Sequence, residues 1–380
     1  MTLYIDVHAL HTLPPNNINR DDTGAPKTAT FGGVPRQRVS SQAWKRAIRK
    51  DFPTYLSQDK LGTRTKRVVE KTVTKIRELD GSWETARAAE AVEAVFDAAR
   101  ITTSRPKPKK DQDPADDEEP KELLGETSYL LFLSTHQIER VARHVIEHDG
   151  AKPSKKDAQK LLDEEHSVDI AMFGRMVADS PNYNVDAAVQ VAHALGTSAA
   201  EPEFDYYTAV DDVVEEADET GAGMIGTVQM MSSTLYRYAT VNMAQLEKNL
   251  ASREAATEAA KAFVQAFVTS MPTGKQNAFA NRTMPEAVVV SLRSDRPVSW
   301  VNAFEEPVVD SLEENRRSQA ARKLAAEAAQ IAEIYDAPAE KTWVMAIAPL
   351  QEALSAVGTQ VSRKQLLDEL ESALATEEPA

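Results

Sequence analysis

The sequence predicts an α+β protein, and three observations carry that prediction. The alternating stretch "LYIDVHAL" (3–10) opens the chain as a strand. Segments of helical periodicity then dominate from about residue 64 to residue 177. β-like stretches return in "EFDYYTAV" (203–210), "TLYRYATVNM" (234–243) and "EAVVVSLR" (286–293). Strands and helices that come in blocks rather than in strict alternation indicate a mixed sheet decorated by an insertion and an excursion.

In order along the chain, Leu3, Ile5, Val7 and Ala9 share one face of the first strand, and Tyr4, Asp6 and His8 the other, so that strand reads as half-buried. A polar, Pro/Gly-rich loop runs to about Val39. Ser40 or Ser41 then caps a helix in "SSQAWKRAIRKDF". At 100° per residue Trp44, Ala47 and Ile48 form its buried stripe, opposite Gln42, Lys45, Arg46 and Arg49. A helix is expected over 64–100, a charged low-complexity segment over 104–122, and helices over 127–149 and 157–177. After the two β-like stretches around an acidic turn come a helix (252–270), the strand 286–293 and two or three C-terminal helices.

Composition sets the bounds. The 380 residues are 42% hydrophobic, enough for a packed core, and the absence of cysteine excludes disulfides and thiol nucleophiles. The N-terminus lacks the pattern of a signal peptide, and "YLLFL" (129–133) is too short to span a bilayer, so a cytoplasmic protein with no membrane partner is expected. The formal charge is −15, but residues 1–77 hold fifteen Lys/Arg against six Asp/Glu, leaving −24 for the rest. Solvent screens charge over about 8–10 Å, so a distant acidic surface need not cancel a basic face.

Several motifs dissolve on inspection. "GAGMIG" (221–226) matches G-x-G-x-x-G but follows an acidic run and precedes β-rich sequence; it reads as a hairpin tip, not a dinucleotide site. His8 and His11 point to opposite strand faces, and His136, His144, His148 and His166 lack metal-site spacing, so neither a metal nor a cofactor is expected. "MPTGKQNAF" is not a Walker loop. The basic run survives. Residues 34–50 contain six Lys/Arg and no acid, the preceding loop adds Arg20 and Lys27, and a helix N-terminus beside Ser40 suits a phosphate. That combination suggests a surface tracking a nucleic-acid backbone, with a general single-strand RNA-binding module as one form of it. Tyr206 and Tyr207 fall on opposite sides of an extended segment, where cross-strand packing and stacking on a base both remain open.

"NRDD", "FGG" and "RVSSQ-x-x-KRA-x-RK" together resemble the N-terminal signature of the CasC-type backbone subunit of the type I-E CRISPR Cascade complex. "VDIAMFGRM" (168–176), "FDYYTAVDD" (204–212), "LYRYATVNMAQL" (235–246), "GKQNAFA" (274–280) and "NAFE" (302–305) follow in that family's order. The resemblance implies a modified RRM-like (ferredoxin-like) palm, split between residues 1–58 and 233–380, with helical fingers over 59–184 and a β-hairpin thumb over 185–232. It implies a non-catalytic, hand-shaped subunit that binds and kinks guide crRNA, lines up with copies of itself and other Cascade subunits, and presents the guide to target DNA. Arg20, Lys27, Ser40, Gln42, Lys45, Arg46 and Arg49 would hold the guide backbone. Met176 would wedge against bases, Tyr206, Tyr207 and Thr208 would form the thumb element, and Lys275 would add a further contact. The alternative is a metal-dependent RNase using Asp21 and Asp22, two carboxylates in the loop after the first strand.

Overall fold

The computed structural model describes residues 2–105, 124–177, 180–210 and 222–376. Strands β1 (Tyr4–Asn16), β2 (Thr28–Phe31) and β3 (Val34–Val39) lead into helix α1 (Ser41–Asp51). Next come β4 (Gly62–Thr65), α2 (Val68–Leu79), α3 (Thr85–Ala98), β5 (Thr103–Ser104), β6 (Glu126–Thr127), β7 (Leu131–Ser134), α4 (Thr135–Glu147), α5 (Lys155–Asp163) and α6 (Val168–Phe173). Short strands β8 (Val189–Val191) and β9 (Ala194–Gly196) precede β10 (Glu203–Val210) and β11 (Ala222–Asn242). The chain ends with α7 (Met243–Leu250), α8 (Arg253–Thr269), α9 (Gln276–Phe279), β12 (Ala287–Arg293), α10 (Arg316–Ile334), β13 (Lys341–Ala346), α11 (Leu350–Ala353), β14 (Thr359–Gln360) and α12 (Arg363–Thr376). It divides into two compact units, one of residues 1–55, 189–244 and 260–380, the other of residues 56–188 and 245–259.

The first unit is built on a mixed sheet in the order β14-β13-β12-β1-β11-β9-β3-β2, with β8 and β10 also pairing β11. Only β13 and β14 run parallel; the other pairs are antiparallel. β1 is bonded on both sides, Val7 opposite Ala239 on β11 and Val290 on β12. Being central, it is buried on both faces, which corrects the half-buried expectation: Asp6 is 1% and His8 0% exposed. These polar groups hold the segment after β12. Asp6 accepts from Tyr238 Oη (2.9 Å) and Val298 N (2.8 Å), while His8 bonds Tyr236 Oη and stacks on Trp300 at 3.7 Å. That face is covered by Trp300, Phe304 and the Ala320, Ala321 and Leu324 side of α10. The other face, carrying Ala9, His11 and Arg237, meets Trp44 of α1 and Phe267 of α8.

The two buried histidines impose a pH dependence. Burial, with Arg293 near His8 and Arg237 near His11, pulls each imidazole from its usual 6.5 down to about 3. Between these values the unfolded chain binds protons that the folded chain refuses, so stability is full above about pH 6.5 and is lost as pH falls toward 3. Burial raises Asp6, which works in the opposite sense and offsets part of the loss. Denaturant titrations at pH 7 and pH 5 should differ by about 2 kcal/mol for each ring, about 4 kcal/mol before the Asp6 offset. A pH-independent midpoint would show that these rings are not buried and neutral.

Local chemistry redraws several predicted elements. The loop before Val39 contains the β2–β3 hairpin, because Gly32 and Gly33, at φ 59° and 78°, make a two-residue turn between Phe31 and Val34. The helix predicted over 64–100 breaks after Leu79, where Asp80 Oδ1 accepts from Ser82 N and Ser82 Oγ and turns the backbone out of the helix. Leu131–Ser134 of the predicted helix 127–149 is a strand paired with β4; the helix begins only at Thr135, behind a Ser134–Gln137 capping box. The 157–177 segment divides into α5 and α6, with Glu165 at φ 53° between them. "TLYRYATVNM" is the second half of a 21-residue strand, and β13 and β14 lie among the C-terminal helices. Residues 222–226 of "GAGMIG" are strand rather than hairpin tip, and 211–221 lie outside the described residues, as do 106–123 of the charged segment. In the second unit α2, α3, α4 and α5 close around Val69, Ile76, Val92, Phe96 and Val141.

Candidate nucleic-acid interface

The site begins where β1 runs out. Asn17 Nδ2 donates to Gly24 O and Gln229 O, and Asp21 Oδ1 accepts from Thr23 N, Thr23 Oγ1 and Ala25 N, so the loop after β1 folds on itself. Those bonds hold the Asp21 carboxyl below its usual range. Lys27 N donates to Asn19 O, and Asn19 Oδ1 accepts from Ser40 N at 2.8 Å. The loop is thereby pinned to the residue that caps α1. Ser40 is the N-cap: its Oγ accepts from Ala43 N, and the residue is 6% exposed.

A second segment is brought to the same place. A Cβ on Gly274 would lie 2.3 Å from Ile18 O, so the "TGK" turn presses on the backbone just before Asn19 and Arg20. Only glycine fits that approach. Lys275 follows it, exposed and at φ 49°. The fold thus gathers Arg20, Lys27, Lys275 and the start of α1 from three parts of the chain.

Of the predicted backbone-holding residues, Arg20, Gln42 and Arg46 are exposed, while Lys27, Lys45 and Arg49 are half-buried. Burial lowers the Lys45 ammonium. Trp44, Ala47 and Ile48 are buried, as the helix periodicity requires. The rest of the basic run divides by environment. Arg38 donates to Thr28 O and bonds His193. Arg36, which counted toward the basic run in the sequence, is 0% exposed and faces no phosphate. Its Nε donates to Phe31 O, Nη1 to Gly196 O and Thr197 O, and Nη2 to Phe304 O and Glu305 O. All five N–H groups are spent on main-chain carbonyls.

Tyr206, Tyr207 and Thr208 lie on β10, opposite Thr227, Gly226 and Ile225. Tyr207 lies across Gly226, where a Cβ would come 2.5 Å from the ring, while Tyr206 on the other face is 64% exposed. Phe204, two residues before Tyr206 and on its face, is 68% exposed and escaped the sequence reading, although the alternation in "FDY" signals it. Met176 belongs to the other unit and is 80% exposed. The residue before it, Arg175, is buried and bonded to Tyr183 O, Phe132 O, Gln137 and Asp163. Among the described residues no group of three or more His, Asp or Glu could hold a metal ion, and no helix is long and apolar enough to cross a membrane.

The chain is similar to a chain of a "CRISPR RNA-guided surveillance complex, pre-nicking", with TM-score 0.80 and 32% identity, covering 98% of this chain and 100% of that one. It is also similar to a chain of a "CRISPR RNA-guided surveillance complex", with TM-score 0.72 and 27% identity, covering 97% and 99%. No curated protein matches. The model of the CT1975-like protein family (Cas_CT1975) spans residues 5–373, and the chain belongs to that family.

Proposed function

We propose that this protein is the non-catalytic, guide-binding backbone subunit of a type I-E CRISPR surveillance complex in the cytoplasm. The observation that carries the reading is similarity over the whole length, 98% of this chain and 100% of a chain from an RNA-guided complex. The gathered basic surface supports it, since a backbone subunit must hold any guide sequence through phosphate while base pairing reads the target. On this reading the sheet is an RRM-like palm, and Arg20, Lys27, Gln42, Lys45, Arg46, Arg49 and Lys275 track the guide. Ser40 contributes by capping α1, the helix that carries Gln42, Lys45, Arg46 and Arg49. Met176 and the Tyr206–Tyr207–Thr208 element kink the guide, copies line up along it, and target DNA pairs with the segments between kinks. The RNase alternative is not adopted, because Asp21 Oδ1 already accepts three hydrogen bonds within its own loop.

The test is the salt dependence of binding to single-stranded RNA. Changing Arg20 and Arg46 together to Ala should lower affinity and reduce the slope of log K against log salt by about 1.4, at about 0.7 per phosphate. An unchanged slope would mean that these side chains do not meet phosphate. Expression beside a CRISPR array should give a multi-copy particle carrying short repeat-flanked RNA; a monomer without RNA in the presence of the other subunits would refute the assignment.

A further inference from the structure

Arg237 on β11 is 2% exposed, and no carboxylate of the described residues pairs with it. The guanidinium is instead held as a plate. The Trp44 ring of α1 lies 3.7 Å from its Cζ and the Phe267 ring of α8 lies 4.3 Å away. Nη2 donates to Phe267 O, a carbonyl in the last turn of α8, where the helix dipole favours a cation. Nη1 donates to His11 Nδ1 at 3.1 Å, which requires that nitrogen to be the acceptor and leaves Nε2–H to donate to Thr283 O at 3.0 Å.

Burying a guanidinium costs several kcal/mol, and an apolar side chain of similar length would fill the space without that cost. What the flat cation supplies is geometry. Stacking fixes its plane, and the two hydrogen bonds fix its rotation within that plane. The partner on one side is Trp44, the largest member of the α1 stripe, and Gln42, Arg46 and Arg49 stand on the opposite side of that helix. A 20° rotation of α1 about its axis would carry its outer side-chain tips by roughly 3 Å, enough to break a hydrogen bond to phosphate.

We infer that Arg237 is a positioning residue for the outer side of α1, setting the helix's rotation through Trp44 so that Arg46 and Arg49 meet the RNA backbone. The inference rests on the guide-binding reading above.

The experiment uses the full chain and a fluorescently labelled single-stranded RNA of about thirty nucleotides, with anisotropy measured over a range of salt concentrations. Arg237→Met and Arg237→Lys are compared with Arg46→Ala as a benchmark, at a temperature where near-UV circular dichroism shows each variant folded. Both Arg237 variants should weaken binding about tenfold and lower the salt slope by about 0.7 or more. Lysine keeps the charge but not the plate, so wild-type affinity in Arg237→Lys would overturn the inference by showing that charge alone matters. A lowered melting midpoint with an unchanged slope would overturn it too, reducing Arg237 to a packing role. Should Arg237→Met fail to fold, Trp44→Phe takes its place: a reduced slope supports the inference and an unchanged one refutes it. Arg46→Ala separates the two levels. No effect there removes the guide-binding reading itself, whereas an effect there without one at Arg237 removes only the positioning role.

Discussion

Arg36→Met is expected to destabilise the protein by about 4 kcal/mol and to lower its melting midpoint by roughly 5 °C. Methionine fills the space but donates nothing, and the five carbonyls of Phe31, Gly196, Thr197, Phe304 and Glu305 cannot be mutated away with it. Replacing a buried ion pair by two apolar groups is often neutral because both partners leave together. Here the partners are main chain, so they stay, desolvated and unpaired. Arg38→Ala is the control, since Arg38 is only half-buried and makes one main-chain bond; it should cost about 1 kcal/mol or less. Calorimetry of the two variants decides the matter. Equal midpoints would mean that Arg36 is not the clasp between the β2–β3 hairpin, the β9 end and the 304–305 turn.

Gly32→Ala should cost a similar amount, about 4 kcal/mol, while Gly33→Ala costs about 1 kcal/mol. Both glycines have positive φ, 59° and 78°, so both substitutions carry the backbone penalty. They differ in what the new methyl meets. At Gly33 nothing lies within 4 Å, whereas at Gly32 it would fall 1.5 Å from Glu305 O. That oxygen is main chain and accepts from Arg36 Nη2, so relieving the clash pulls the hairpin away and breaks the clasp as well. Urea titration of the two variants reads the difference directly; equal losses would show that the hairpin does not approach Glu305.

Both predictions concern motifs whose relation sequence alone hides. "FGG" and "NAFE" stand some 270 residues apart and resemble unrelated fragments, yet Phe31, Gly32, Phe304 and Glu305 meet around one guanidinium. "GKQNAF" and the loop before "NRDD" show the same thing, since Gly274 is glycine because Ile18 is there.

What the sequence determined by itself is what depends on near neighbours along the chain. The Trp44, Ala47 and Ile48 stripe, the Ser40 cap and the "EFDYYTAV" strand follow from helix and strand periods and from one side-chain hydrogen bond. The same logic made Gln42, Lys45, Arg46 and Arg49 one face, and distinguished a basic front from an acidic remainder. Tertiary structure decided which charges are free to act. Arg36 and Arg46 are arginines of one basic run; the helix period puts Arg46 opposite the buried stripe, but no local rule buries Arg36. Pairing of β3 with β2 and β9 turns Arg36 inward among carbonyls, while α1 turns Arg46 to solvent. Asp6 and His8 read as the polar side of a half-buried strand until β11 and β12 flank β1 and helices cover both faces. Burial of a charge depends on what packs over it, and what packs over it comes from hundreds of residues away.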